Sequence, residues 1–256
     1  MKFIETAEAK KQPGLRLVSV GGVPSPWSEA AKSIPHVKKI PAVGVRMTPG
    51  DSELAEWTGS TRAPVAIYED EAPRSGWAEI LLLAERLAPE PGLLPADPEQ
   101  RAILFGLSHE ICGEMGLGWC RRLAGIHSSI ESDGKVGFPK PVAEYLAPKY
   151  GYRPDNGAEA RRRVVDILGL LAGRLHAQRD ADSRFFLGRG LTAVDIYSAT
   201  FMALFAPLPP DQCPMPEMLR RGFEAKDADT AKALDPILLE HRDFIYREYL
   251  LLPLTL

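Results

Sequence analysis

Several features are missing from this sequence, and each absence removes a class of function. No long apolar run is present. The longest apolar stretch in a helical pattern, "ILLLAERLA", carries Glu85 and Arg86 and is far too short to cross a bilayer. The opening segment, "MKFIETAEAKKQPG", has charges scattered through it and no apolar stretch, so a signal peptide is not expected. Cysteine is scarce: Cys112, Cys120 and Cys213 form no framework and no Cys-x-x-Cys pair. A disulfide scaffold and dithiol exchange are therefore not expected, and a reducing cytoplasm is the simplest setting. No charge sign dominates, with 31 basic against 34 acidic residues and a net charge of -3. That balance carries no electrostatic footprint for nucleic acid, although it leaves room for a small anion in a local pocket. There is no G-x-S-x-G, no internal repeat and no low-complexity tract.

What is present is the composition of an ordinary globular protein. Apolar residues make up 45% and charged residues 25% of 256 positions, enough for one large domain or two small ones. Two textures meet near residue 90. Before it, short elements alternate: strands at Leu15–Val20, Ala42–Met47 and Pro64–Asp70, and helices at 26–34, Asp51–Trp57 and Gly76–Ala88. This order predicts a small mixed sheet with helices packed on it. The segment "APEPGLLPADP" holds four prolines in eleven residues, which neither a helix nor a central strand tolerates. It reads as a linker between a domain at 1–88 and one at 98–256, with 89–97 between them.

After the linker the pattern is helical throughout. Asp97 caps a helix that has Pro98 at its first position and Gln100 three after the cap. Ile103, Leu107, Ile111, Met115, Trp119, Leu123 and Ile126 follow at steps of three or four and predict one long helix. Gly113, Gly116 and Gly118 weaken its middle and invite a bend. Further helices are expected near Ala158–Gln178, from Thr192 and from Asp235–Pro236. His109, Cys112, Cys120 and His127 spread over about five turns at about 1.5 Å per residue, too far apart for one metal site, and no metal is expected.

The most specific signal is "GLTAVDIYSATF". Thr192 and Asp195 have the spacing of a reciprocal capping box, flanked by Leu191 and Ile196 at the two positions of a hydrophobic staple. The helix that follows has hardly a charge after Asp195, so it is expected to be buried, with Asp195 a folding residue. A second signal is "SPWS", which places Ser25 at the mouth of the helix at 26–34. From the residues alone, Ser25 is either a cap with Pro26 at the first helical position or a group that does chemistry.

"FFLGRGLTAVDIYSATF" resembles the N-capping box of the glutathione S-transferase superfamily. The order of elements on both sides of the linker agrees with that superfamily over roughly Leu15 to Leu252. The resemblance implies a thioredoxin-like α/β domain followed by an all-α domain, a homodimer, and glutathione as co-substrate. It implies that Pro64 is a cis-proline opening the third strand, with the Ala63 backbone meeting the cysteinyl part of glutathione. The sequence alone leaves that bond cis or trans. Ser75 falls at the serine of the superfamily's acidic-Ser pair, which holds the γ-glutamyl end. The preceding position departs from the pattern: it is Arg74, which removes a partner for the ligand amine and suits a carboxylate instead. Ser75 as a plain helix cap is the alternative. Arg62 is a further candidate to meet a ligand carboxylate.

"SPWS" looks like the Ser-Pro-Phe-Ser form of serine-type members, with Ser25 as the thiol-activating hydroxyl and Ser28 a rival one turn on. A hydrophobic electrophile is then expected between the domains, against Trp27, Ile111, Met115 and Trp119. Two other readings stay open: a non-catalytic binding protein that kept the fold, and a glutathione-dependent isomerase or ether- or halide-cleaving enzyme.

Overall fold

The computed structural model describes residues 1–48 and 50–256. Its first part is a four-stranded sheet of β1 (Lys2–Phe3), β2 (Leu15–Val20), β3 (Ala42–Met47) and β4 (Val65–Tyr68). The spatial order is β1-β3-β2-β4. The first three strands are parallel, and β4 runs antiparallel to β2 with Ala66 opposite Leu17. Helices α1 (Thr6–Ala9), α2 (Pro26–Val37), α3 (Ser52–Thr58) and α4 (Trp77–Leu87) connect and cover it. This is the small mixed sheet that the alternation of short elements predicted, in the thioredoxin-like arrangement that the resemblance implied.

Eight helices follow: α5 (Pro98–Cys112), α6 (Leu117–Glu131), α7 (Lys140–Lys149), α8 (Pro154–Asp180), α9 (Ala193–Phe201), α10 (Glu217–Glu224), α11 (Ala228–Ala233) and α12 (Pro236–Tyr249). Asp97 caps α5 by accepting from the Gln100 amide at 2.8 Å. The single long helix expected from Ile103 to Ile126 is two helices. Glycines and one left-handed residue separate them: Met115 has φ 58, and a Cβ on Gly116 would lie 2.7 Å from the His109 carbonyl. Backbone packs against backbone at that turn, so the helix is interrupted where the glycines weakened it. The strand expected at Pro64–Asp70 is shorter, because Glu69 at φ 45 ends it and Arg74 returns to bridge Ala66.

One large apolar cluster joins the inner faces of α2 and α4 to α5, α6, α8, α9 and α12. Helix α9 is buried along its whole length, as its lack of charge predicted. Asp195, fully buried, accepts from the Thr192 amide at 2.8 Å and hydroxyl at 2.7 Å. It also takes the Phe186 amide at 2.8 Å and Nε2 of His241 at 3.1 Å. The capping box is therefore the centre of a larger network that pulls the approach loop and α12 onto α9.

Side-chain hydrogen bonds to backbone carbonyls fix the first part against the second, two of them in the buried interface. Trp27 Nε1 donates to the Cys112 carbonyl at the end of α5, at 2.9 Å. The buried Tyr197 hydroxyl donates to the Trp77 carbonyl at 3.1 Å. Lys38, at the end of α2, buries its ammonium between Glu85 of α4 at 2.5 Å and the Pro91 carbonyl at 2.8 Å. A buried charge is tolerated only when paired and hydrogen-bonded, and Lys38 is both. The proline-rich segment is thereby anchored and does not swing freely.

Candidate functional site

The carboxyl ends of β2 and β3 open into a cleft of about 1030 Å³ whose far wall is formed by α5, α6 and α7. Clefts of open α/β sheets collect at such strand ends. Ser25, Trp27, Arg62, Ala63, Pro64, Ser75 and Trp119 all line it.

Ser25 stands at the N-cap of α2 in extended backbone, with φ -64 and ψ 115. Its main chain is engaged: the amide donates to Val23 at 2.8 Å and the carbonyl accepts from Glu29 at 2.8 Å. Its hydroxyl makes no capping bond. Pro26 at the first helical position has no amide to satisfy, and the Ser25 side chain lines the cleft at the positive end of α2. Ser28 is different. It is fully buried, and its Oγ accepts from the Val20 amide at 3.0 Å, sealing the end of β2 to α2.

The Ala63–Pro64 bond is cis, which answers what the sequence left open. Among the described residues, neither the amide nor the carbonyl of Ala63 takes a backbone partner, so both are available at the edge of β4. The hydroxyl of Ser60 bonds the Arg62 amide at 3.0 Å and the Arg62 carbonyl at 3.1 Å, holding this loop at the rim. Ser75 is exposed on the cleft. The α4 cap is the following residue, Gly76, whose amide donates to Glu79 at 2.9 Å.

Arg74 points elsewhere. Its guanidinium pairs with Glu71 at 2.6 Å, and Arg86 pairs with the same carboxylate at 2.6 Å. These two arginines hold the Glu71 carboxyl below its usual range, Arg86 contributing more than Arg74. Arg74 is therefore not among the cleft residues and has no free charge to offer a ligand there. Ile111 and Met115 are not in the cleft either. Ile111 is fully buried in the main core, and Met115 packs against that core from the turn between α5 and α6. The cleft-facing residues near the end of α5 are instead His109, Cys112 and Gly113.

The floor of the cleft is aromatic. Trp27 meets Phe201 edge-on at 4.9 Å, and Trp119 meets Tyr150 edge-on at 4.9 Å. A Cβ on Gly118 would come within 2.7 Å of the Trp27 ring and 2.5 Å of Phe201. Only glycine lets α6 approach this closely, so the residue that weakened the helix pattern is what seats the indole. Burial pushes the Cys112 thiol well above its ordinary value and that of Cys120 up to about 12. Neither supplies a thiolate at neutral pH. Among the described residues, no group of three or more His, Cys, Asp or Glu could hold a metal ion, and no helix is long and apolar enough to cross a membrane.

Sequence reasoning did not find Arg122, Tyr145, Lys149 and Tyr150, which complete the far wall. They lie on α6, on α7 and just after it, and no local motif marks them.

No family model and no curated relative matches the chain. Solved structures do. The chain is similar to the β-etherase LigF from Sphingobium at 17% identity and a TM-score of 0.63, over 93% of this chain and 97% of that one. It is similar to a glutathione S-transferase domain-containing protein from Marinobacter aquaeolei at 15% and 0.62, over 92% and 100%. A glutathione S-transferase from Methylobacterium radiotolerans, in complex with glutathione sulfonate, matches at 19% and 0.59 over 92% of both chains. The likeness establishes the glutathione S-transferase fold.

Proposed function

We propose that this chain, a glutathione S-transferase fold with its cleft intact, binds glutathione and activates its thiol with Ser25 for attack on an electrophilic small molecule. The observation that carries the reading is the Ser25 hydroxyl, which makes no capping bond and faces the cleft at the N-terminus of α2. A free thiol has a pKa of ~8.5 and is mostly protonated at neutral pH. A donated hydroxyl bond and the positive end of a helix both stabilise the thiolate relative to the thiol. The unpaired Ala63 amide and carbonyl suit the backbone of a tripeptide, and Ser75 suits its γ-glutamyl end. Arg74, paired with Glu71, neither replaces the missing acid nor obstructs the ligand.

In the chemical step the thiolate sulfur forms a bond to the electrophilic carbon, and the leaving group departs with its bonding pair. Trp27 and Trp119 supply apolar surface for that electrophile. When the leaving group is an aryloxide, the same step cleaves an ether. The similarity to the β-etherase LigF is what brings that variant into the reading.

Isothermal titration with glutathione tests the reading. Binding is expected in the micromolar to low-millimolar range, and no heat at millimolar tripeptide would sink it. The reading also implies a homodimer in a reducing cytoplasm, consistent with three buried free cysteines. Light scattering is expected to give twice the chain mass; a monomer at micromolar concentration would remove the dimer from the proposal.

A further inference from the structure

Three cations converge on the far wall of the cleft without a carboxylate partner. Arg62 at the rim reaches across to α7, its Nη2 lying 3.4 Å from the Lys149 carbonyl. Lys149 ends α7, and Arg122 comes from α6 beneath it. Among the described residues none of the three pairs with an Asp or Glu. The acids that share the cleft are engaged or apart: Asp51 caps α3 through the Leu54 amide at 2.9 Å, and Glu114 lies in the α5–α6 turn. What sets the three apart is that they share one cleft wall, with Lys149 close enough to feel the charges of both Arg62 and Arg122.

The cluster is also held in place. The Arg122 guanidinium lies 5.6 Å from the Phe138 ring and 5.5 Å from the Phe223 ring, two cation–π contacts that restrain it. Burial lowers the Arg122 pKa, partly offset by the nearby Tyr150 hydroxyl. Burial also lowers the Lys149 pKa, and the charges of Arg62 and Arg122 add to that. Like charges crowded in a partly desolvated pocket repel one another, and an anion placed among them relieves the repulsion. The edge-on Trp119–Tyr150 pair stands beside these cations and offers an aromatic corner against which a ring can pack.

We propose that Arg62, Arg122 and Lys149 select an aromatic acceptor that carries an anionic group, the ring resting on Trp119 and Tyr150. The proposal rests on reading the cleft as an acceptor pocket, and it narrows "hydrophobic electrophile" to an anionic arene. Apolar pocket walls supply affinity, and a few placed charges supply orientation and discrimination.

Equilibrium dialysis without glutathione tests it with 4-nitrobenzoate and its uncharged isostere 4-nitrobenzamide. The anion is expected to bind about tenfold more tightly, as a charge-assisted contact would give. Lys149→Met is expected to remove most of that preference. Arg122→Lys, which keeps the charge but loses the planar fork, should retain part of it. A melting curve for each variant guards against loss of fold. Equal affinity for the two probes overturns the proposal, as does a Lys149→Met variant with its preference unchanged. Because glutathione is absent, failure here is distinct from failure of the glutathione titration: either can fall while the other stands.

Discussion

Asp195→Ala is expected to destabilise the fold by about 3–5 kcal/mol, against a total stability of roughly 5–15 kcal/mol for a chain of this kind. The carboxylate is fully buried and takes four donors: the Phe186 amide, the amide and hydroxyl of Thr192, and Nε2 of His241. Alanine leaves every one of them unsatisfied in an interior where water cannot substitute. Each orphaned donor costs about 1–3 kcal/mol, although partial relaxation makes the sum smaller than the parts. Asn keeps the shape but turns an amide group toward donors, so Asp195→Asn should fall between wild type and alanine. Urea titration of the three proteins reads the differences. A loss below about 1 kcal/mol for alanine would mean that the network is not holding α9 in place.

Ser25→Ala is expected to lower the rate of glutathione conjugation about a hundredfold, the usual scale for removing one donor aimed at a developing or resident anion. The same change should raise the thiol pKa of bound glutathione toward ~8.5. It should leave folding stability within about 0.5 kcal/mol. That last expectation separates the two roles the sequence allowed. A capping serine costs about 1 kcal/mol on replacement. Here the hydroxyl makes no capping bond, so alanine takes nothing from the helix. Ultraviolet titration of the bound thiolate and a melting curve settle the matter together. An unchanged thiol pKa, or a clear loss of stability, would return Ser25 to a structural role.

Much of the fold can be read locally. The Thr192–Asp195 spacing, the Asp97–Pro98 start and the alternation of short elements before residue 88 are near-neighbour signals with a physical cause each. What escaped depends on tertiary placement. The steps of three and four through Ile111, Met115 and Trp119 assumed one continuous helix. The interruption at 113–116 breaks that register, so those residues do not share one face, and Ile111 joins the core. Arg74 and Ser75 are adjacent, yet the return strand sends one side chain to Glu71 and the other to the cleft. Arg62, Arg122 and Lys149 are far apart in sequence, and on their own helices or loops they read as ordinary solvated cations. Only the packing of α6 and α7 over the rim makes them a group.

The Trp27–Cys112 bond has a consequence for how such a protein can change over generations. Trp27 is two residues from Ser25, and its indole is fixed by the end of α5 and by the close approach of α6 at Gly118. Substitutions that reshape the far wall of the cleft by moving either helix would therefore drag the Ser25 corner with them. Variation in specificity is free only at positions that do not move that indole, such as the exposed Tyr145 on α7. The cleft is in this sense divided into a part that can drift and a part that cannot, with the indole at the boundary.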